Sequence, residues 1–504
     1  MNKFFKAMFC VTFFSVLTRA LGFFLKIYLS RELSSELLGS YQVAMSIFGV
    51  FMTFVSSGIP VVLSRNISYY HGQKDKKAIG SIVSSGLILT GIICVIVSAV
   101  IIFCPSLLNK LFTSNASTEM LLILLPALIF SSVYEVLRGA LWGEQKFFVI
   151  SFTEFLEQIT RIIILVILFE TTFLDMSLTN KTALSLSLAC IVSSIVVAII
   201  YFKYGGKLNN PKPEFTKLVK TSSPITAVRT VSSLVSSTIA VIIPIKLMDY
   251  GFSSSEALSE FGIIMGMTFP LIMIPSTLIS SLAVTIIPSI SEQSNDIDKC
   301  EVKNTTALKN KINFSIKTTI VFSCLLLPVF IALGEPIAEF VYNNAKAGTY
   351  LKYAAIAMVP MGLSQITSSI LNAIGLEIKS LKNYVVSSLL LILSIFFLPK
   401  YIGTYSLIVG YVLMSVTSTI MNMVMLHKRK LLSFKFLSTL KNMLFVAIIS
   451  GILGWLVYNI ISKFYFTLAL IIGGGITLGS VILLIYVFNI ADFKMILFKS
   501  KAKT

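Results

Sequence analysis

The chain has 504 residues, of which 56% are hydrophobic and 12% charged, with a mean hydropathy of +0.90. A soluble chain of this length does not carry that balance, and apolar runs able to cross about 30 Å of hydrocarbon recur from end to end, too continuous for barrel strands. The formal net charge of +19 lies in short segments between apolar runs and forms no basic domain, so a nucleic-acid partner is excluded and the positive-inside bias of membrane loops explains the excess. The expected fold is an all-α polytopic membrane protein.

In chain order, the first apolar run extends from Phe4 to Ser30. No small-x-small site follows it and Arg19 interrupts it, so it reads as a retained span, not a leader. Arg19 and Lys26 are seven residues apart, almost two helical turns, and leave the helix on nearly one face. A cation at the centre of a span costs about 2.5–3.5 kcal/mol, which marks both as candidate substrate-binding groups facing a cavity. About fourteen spans are expected, near 5–29, 38–63, 79–103, 118–142, 147–170, 182–203, 221–246, 259–290, 312–334, 351–375, 381–399, 401–426, 441–462 and 466–490. Arg65 lies at the end of the second and Arg229 in the seventh, completing the set of candidate cavity cations. The eighth holds Pro270, Pro275 and Pro288 and is expected to kink.

Span four carries Glu135 and Arg138 one turn apart, and span five carries Glu154, Glu157, Gln158 and Arg161 on one face. The favoured reading is a structural charge network with a Glu157–Arg161 ion pair four residues apart; a proton or cation coupling site is the alternative. The six cysteines form no CxxC pair and read as small apolar residues, so no metal site is expected. Trp142 and Trp455 read as interfacial or packing aromatics, and Tyr41 and Gln42 as secondary candidates for a sugar contact.

With both termini placed in the cytoplasm, roughly 27 of the 41 Lys and Arg fall in cytoplasmic segments and about 8 on the other side. Three segment pairs recur in the same order: SVLTRALGFF with ITAVRTVSSL, LGSYQVAMSIFGVFMTF with FGIIMGMTFPLIMIPST, and RGALWGEQK with ILNAIGLEIK. They predict two parallel six-span lobes, 1–205 and 221–427, joined by a cytoplasmic linker over 206–220 and followed by a helix pair and basic tail over 428–504.

The six-plus-six-plus-two order, the opening TRALGFFLKIYLSREL with LGSYQVAMSIFGVFMTFVSSGIPVVLSR, the segment EVLRGALWGEQKF and the following FTEFLEQITRI resemble the stage V sporulation protein B branch of the multidrug/oligosaccharidyl-lipid/polysaccharide exporter superfamily. The resemblance covers the chain to about residue 427 and is strongest in the first lobe. It implies two lobes in a V around a central cavity, with lipid-linked sugars moved from the cytoplasmic to the outer leaflet. Related lipid II flippases line that cavity with cations of spans one, two, seven and eight, and Arg19, Lys26, Arg65 and Arg229 occupy the corresponding elements of the first three; span eight here has no cation. In those relatives the last two spans form a groove for the lipid chain. The second lobe has no carboxylate at mid-span, which sets it apart from sodium-coupled relatives; membrane-potential coupling fits, at about 2.3 kcal/mol per charge per 100 mV.

An enzyme is not expected. There are two histidines, His71 and His427, both in loops, and no HExxH, phosphate-binding glycine loop or Ser-His-Asp set. The reading is a monomeric flippase of the bacterial plasma membrane for an undecaprenyl-pyrophosphate-linked wall or polysaccharide precursor, lipid II first, with no cofactor. The competing readings are an organic-cation antiporter, which span-centred cations oppose, and a non-transporting scaffold for wall or spore assembly.

Overall fold

A backbone crossing hydrocarbon finds no water for its N–H and C=O groups, so it satisfies them within a helix. The computed structural model describes residues 3–103, 115–171, 175–297, 302–433, 436–488 and 490, and among these every regular element is helical. Eleven helices are long and apolar enough to span a membrane, and up to 13 if each of two bent pairs counts as one span. The helix Phe147–Glu170 is long enough to be one more, but Glu154, Glu157 and Arg161 lie in its middle. The chain is a multi-pass membrane protein, and it divides into two compact units, Met1–Gly262 and Ile263–Thr504.

The first unit contains α1 (Lys3–Glu32), α2 (Ser35–Ser56), α3 (Ile59–Gly72), α4 (Lys76–Phe103), α5 (Asn115–Ile123), α6 (Leu125–Gly143), α7 (Phe147–Glu170), α8 (Leu178–Lys203), α9 (Lys212–Asp249) and α10 (Ser254–Gly262). The Ser34 hydroxyl caps α2 by accepting from the Leu37 N–H, and Ser177 caps α8 the same way through Asn180. Between α2 and α3 the chain breaks at Ser57–Gly58, with Pro60 in the first turn of α3, where no N–H is needed. The α5–α6 pair bends by 44°, with Pro126 at the start of α6. Gly39 of α2 and Gly262 of α10 face each other's backbone so closely that a Cβ on either would collide with main-chain atoms. The apolar centre, including Leu63, Ile67, Ile82, Leu137, Ile150 and Val197, ties α3, α4, α6, α7 and α8 together.

Helix α7 runs alongside α1 in parallel: Phe14 meets the rings of Phe148, Phe152 and Phe155, Gly22 approaches Gln158, and Tyr28 meets Phe169. Ordered contacts of this kind put Arg19 at the level of Glu154–Gln158.

The segment expected to link two lobes is docked along α4. The Ser81 hydroxyl donates to the Asn210 carbonyl (2.6 Å), the Ser85 hydroxyl to the Pro211 carbonyl (2.8 Å), and Ser84 accepts from the Asn209 N–H (3.1 Å). Helix α9 begins at Lys212, earlier than the span expected from 221, because Pro213 suits a first turn. Its 38 residues pack with the first unit.

The second unit opens with a π-helical turn, Ile263–Thr268, and continues through α11 (Phe269–Ile272), α12 (Ile274–Ile297), α13 (Val302–Tyr342), α14 (Ala345–Ala354), a 3₁₀ turn (Ala355–Ala357), α15 (Met358–Ala373), α16 (Glu377–Phe397), α17 (Pro399–Ile402), α18 (Tyr405–Lys428), α19 (Phe436–Ile461) and α20 (Phe466–Val487). The kink expected in the proline-rich eighth span is present as a 47° bend between Ile272 and Ile274. A second kink lies at Leu333, between Pro328 and Pro336 of α13. Ile316, Ile320, Ile366, Ile370, Val446 and Val481 centre its core.

Candidate functional site

The polar chemistry of the first unit begins with Arg138 on α6. One guanidinium nitrogen donates to both carboxylate oxygens of Glu135, at 2.9 and 3.0 Å, and another lies 2.8 Å from Glu154 on α7. One cation therefore serves two carboxylates. The three side chains are 27–31% exposed, so this bridge is neither dry nor freely solvated.

Further along α7 the expected Glu157–Arg161 pair is not formed. Arg161 instead donates to the Tyr41 hydroxyl on α2 (3.0 Å), and Glu157 accepts from the Ser193 hydroxyl on α8 (3.0 Å). The physical reason is packing: residues four apart on a helix meet only at its surface, whereas here each side chain reaches a partner on a neighbouring helix. Tyr41, only a secondary candidate for a sugar contact from sequence, is buried and accepts from this arginine. Tyr134 and Thr153 add a hydroxyl–hydroxyl bond of 3.1 Å between α6 and α7.

A cavity of about 510 Å³ lies beside the Arg138 bridge, lined by Ser56, Ser57, Ser64, Glu135, Arg138 and Arg229 among others. Arg229 on α9 donates to the Ser57 carbonyl at 2.9 Å, across 172 residues of sequence. That carbonyl is available because the helix stops at the Ser57–Gly58 break. Arg229 makes no ion pair among the described residues. Trp142, expected as a packing aromatic, both lines the cavity and packs edge-on against Phe147 at 5.0 Å.

The sequence-predicted cations thus separate. Arg229 joins Arg138 and Glu135 at the cavity, while Arg19, Lys26 and Arg65 are exposed and do not line it. Lys26 and Arg161 are close enough for their like charges to interact. Neither Arg19 nor Lys26 forms an ion pair among the described residues. The serines of the cavity wall were not singled out from sequence; the signal was the VSSG run of residues 55–58, which interrupts an apolar stretch.

The second unit has neutral polar contacts at its centre. Asn383 of α16 donates to Asn422 of α18 (2.9 Å), which donates to Thr367 and Ser368 of α15 at 3.1 and 3.0 Å. An apolar groove of about 600 Å³ between α15, α18 and α19 ends at His427 and Lys428. Among the described residues, no group of three or more His, Cys, Asp or Glu is placed to hold a metal ion.

A family model described as "Polysaccharide biosynthesis protein" matches residues 4–294, and a second of the same description matches 297–473. The chain is 22% identical to stage V sporulation protein B of Bacillus subtilis (strain 168) over 387 residues, 74% of this chain and 73% of that protein. It is 21% identical to sporulation protein YkvU of the same organism over 365 residues, 70% of this chain and 78% of that protein. Among solved structures it is similar to the lipid II flippase MurJ in an inward closed conformation, with a TM-score of 0.73 at 16% identity over 95% of this chain and 99% of that one. It is also similar to an inward-facing multidrug resistance MATE family transporter of the MOP superfamily, with a TM-score of 0.67 at 16% identity over 82% and 94% of the two chains. The chain therefore has the fold of MOP superfamily transporters, and it belongs to the polysaccharide biosynthesis protein family.

Proposed function

We propose that this protein is a flippase, not an enzyme, that carries a polyprenyl-pyrophosphate-linked oligosaccharide, lipid II first, from the cytoplasmic to the outer leaflet. The observation that carries the reading is Arg229: an arginine without an ion-pair partner among the described residues, held by a carbonyl at the wall of a serine-lined cavity. A charged head crossing hydrocarbon loses its hydration, and fixed guanidinium and hydroxyl donors replace it. Arg138 adds a second guanidinium at the wall, and Arg19 and Lys26 supply positive charge on α1. The family, the fold shared with a lipid II flippase and the relative named for stage V sporulation support the same class of substrate.

The rest of the reading follows from sequence. The moving parts are the two six-span repeats, 1–205 and 221–427, joined through 206–220, with 428–504 as an added pair and tail. The protein acts as a monomer with both termini in the cytoplasm and draws on membrane potential or an ion. The fold also matches multidrug transporters, but a cavity in which Arg229, without an ion pair among the described residues, presents a guanidinium repels organic cations.

The test is purification with bound lipid, mass spectrometry of the extract, and translocation of the identified lipid in proteoliposomes. An isoprenoid pyrophosphate sugar in the extract, and its transfer between leaflets, is the expected result. Uptake of organic cations without lipid transfer would move the chain to the antiporter class, and neither activity would make it a scaffold. For orientation, cysteines placed at Asn209 and Asn295 in a cysteine-free background should resist an impermeant external thiol reagent, and one at Asn343 should react.

A further inference from the structure

The carboxylates and guanidiniums at the middle of α6 and α7 do not balance. Glu135 and Glu154 share Arg138, Arg161 is turned to Tyr41, and Glu157 has a serine hydroxyl where an ion pair was expected. Three carboxylates, Glu135, Glu154 and Glu157, thus face two guanidiniums, Arg138 and Arg161, at the middle of two packed helices. We propose that Glu157 is a proton-binding site linked to the cavity, so that an anionic head group engaging Arg138 draws a proton onto Glu157. This rests on the reading that the cavity takes a phosphate-bearing anion.

The argument is one of competition for charge. An anion that takes Arg138 leaves Glu135 on α6 and Glu154, one helical turn from Glu157 on α7, without their shared cation. Glu157 then feels more negative potential, and its Oε1 or Oε2 binds a proton from water to become a neutral acid that still accepts from Ser193. The groups that interact with Glu157 are Glu154 and Arg161 on α7, Tyr134 and Glu135 on α6, and Cys190 and Ser193 on α8. Arg19 and Lys26 lie on α1, the latter interacting with Arg161. Arg138, which lines the cavity and holds Glu135 and Glu154, transmits the change to Glu157 through those two carboxylates. Linkage requires the reverse as well: protonated Glu157 tightens anion binding.

The probe is geranylgeranyl pyrophosphate, with affinity measured from pH 5.5 to 8 on the full chain in nanodiscs. The ligand titrates identically with every variant, so its contribution cancels in the comparison. Wild-type affinity should rise as pH falls, by up to about tenfold per pH unit beyond the slope of Glu157→Gln. Glu157→Gln should bind tightly at every pH with that extra slope gone, at an unchanged melting temperature. Ser193→Ala removes a hydrogen bond to the charged form and should keep the slope while moving it to higher pH. Equal slopes in wild type and Glu157→Gln, or loss of the slope in Glu154→Gln alone, would overturn the proposal while leaving the anion site standing. Absence of binding to wild type at every pH would defeat the anion reading itself.

Discussion

The two units bury similar aliphatic cores but fill their polar interiors with different chemistry. In the first, Glu135, Arg138, Glu154, Glu157 and Arg161 are interleaved between helices. In the second, Asn383 and Asn422 are 2% and 0% exposed; Asn383 donates to Asn422, which donates to the Thr367 and Ser368 hydroxyls. A neutral amide enters hydrocarbon at modest cost once bonded, whereas an ion needs both a partner and some access to water. The second unit's network therefore serves packing, and the first unit's charges are what a function would justify.

The strongest way to break this contrast is to remove Arg138. Arg138→Gln strands Glu135 and Glu154 and should cost about 3 kcal/mol, the low end for a broken buried pair because these side chains keep partial access to water. Thermal melts in detergent would measure it, and an unchanged melting temperature would show that the bridge is not structural. Asn422→Ala in the second unit should cost less, about 1–3 kcal/mol for the partners left unsatisfied, with lipid transfer per folded molecule unchanged. Loss of transfer at normal stability would erase the division of labour.

Arg229→Ala sharpens the comparison from the functional side. It removes no ion pair, so stability should hold while lipid transfer falls at least about tenfold, or about 1.4 kcal/mol. Arg229→Lys should rescue only part of it, because an ammonium lacks the bidentate fork. Arg65→Ala, outside the cavity, should transfer lipid at the wild-type rate.

How much of this was legible follows physical lines. Helices and their approximate limits were readable because hydrocarbon leaves few alternatives, and the eighth-span bend because Pro270 and Pro275 forecast it. The Glu135–Arg138 contact was readable at one-turn spacing, but its sharing with Glu154 depends on how α6 meets α7. Docking of 207–211 on α4 was hidden because Ser81, Ser84 and Ser85 look like ordinary small residues of a span. The Arg229–Ser57 bond joins two distant segments through a carbonyl, a group every residue carries and no pattern marks.

The smallest expected effect decides how α7 is wired. The sequence favoured a direct Glu157–Arg161 pair, for which the double mutant would be far less damaged than the sum of the singles. The structure sends Arg161 to Tyr41 and Glu157 to Ser193, so Glu157→Gln and Arg161→Gln should be nearly additive, with coupling of about 0.5 kcal/mol or less from their shared helix face. Tyr41→Phe and Arg161→Gln share a bond and should couple more, within about 0.5–3 kcal/mol. Both cycles can be measured from melting curves of the same set of variants. A larger coupling in the Glu157 cycle than in the Tyr41 cycle would restore the direct pair and, by giving Glu157 its own cation, remove the charge imbalance on which its proton site depends.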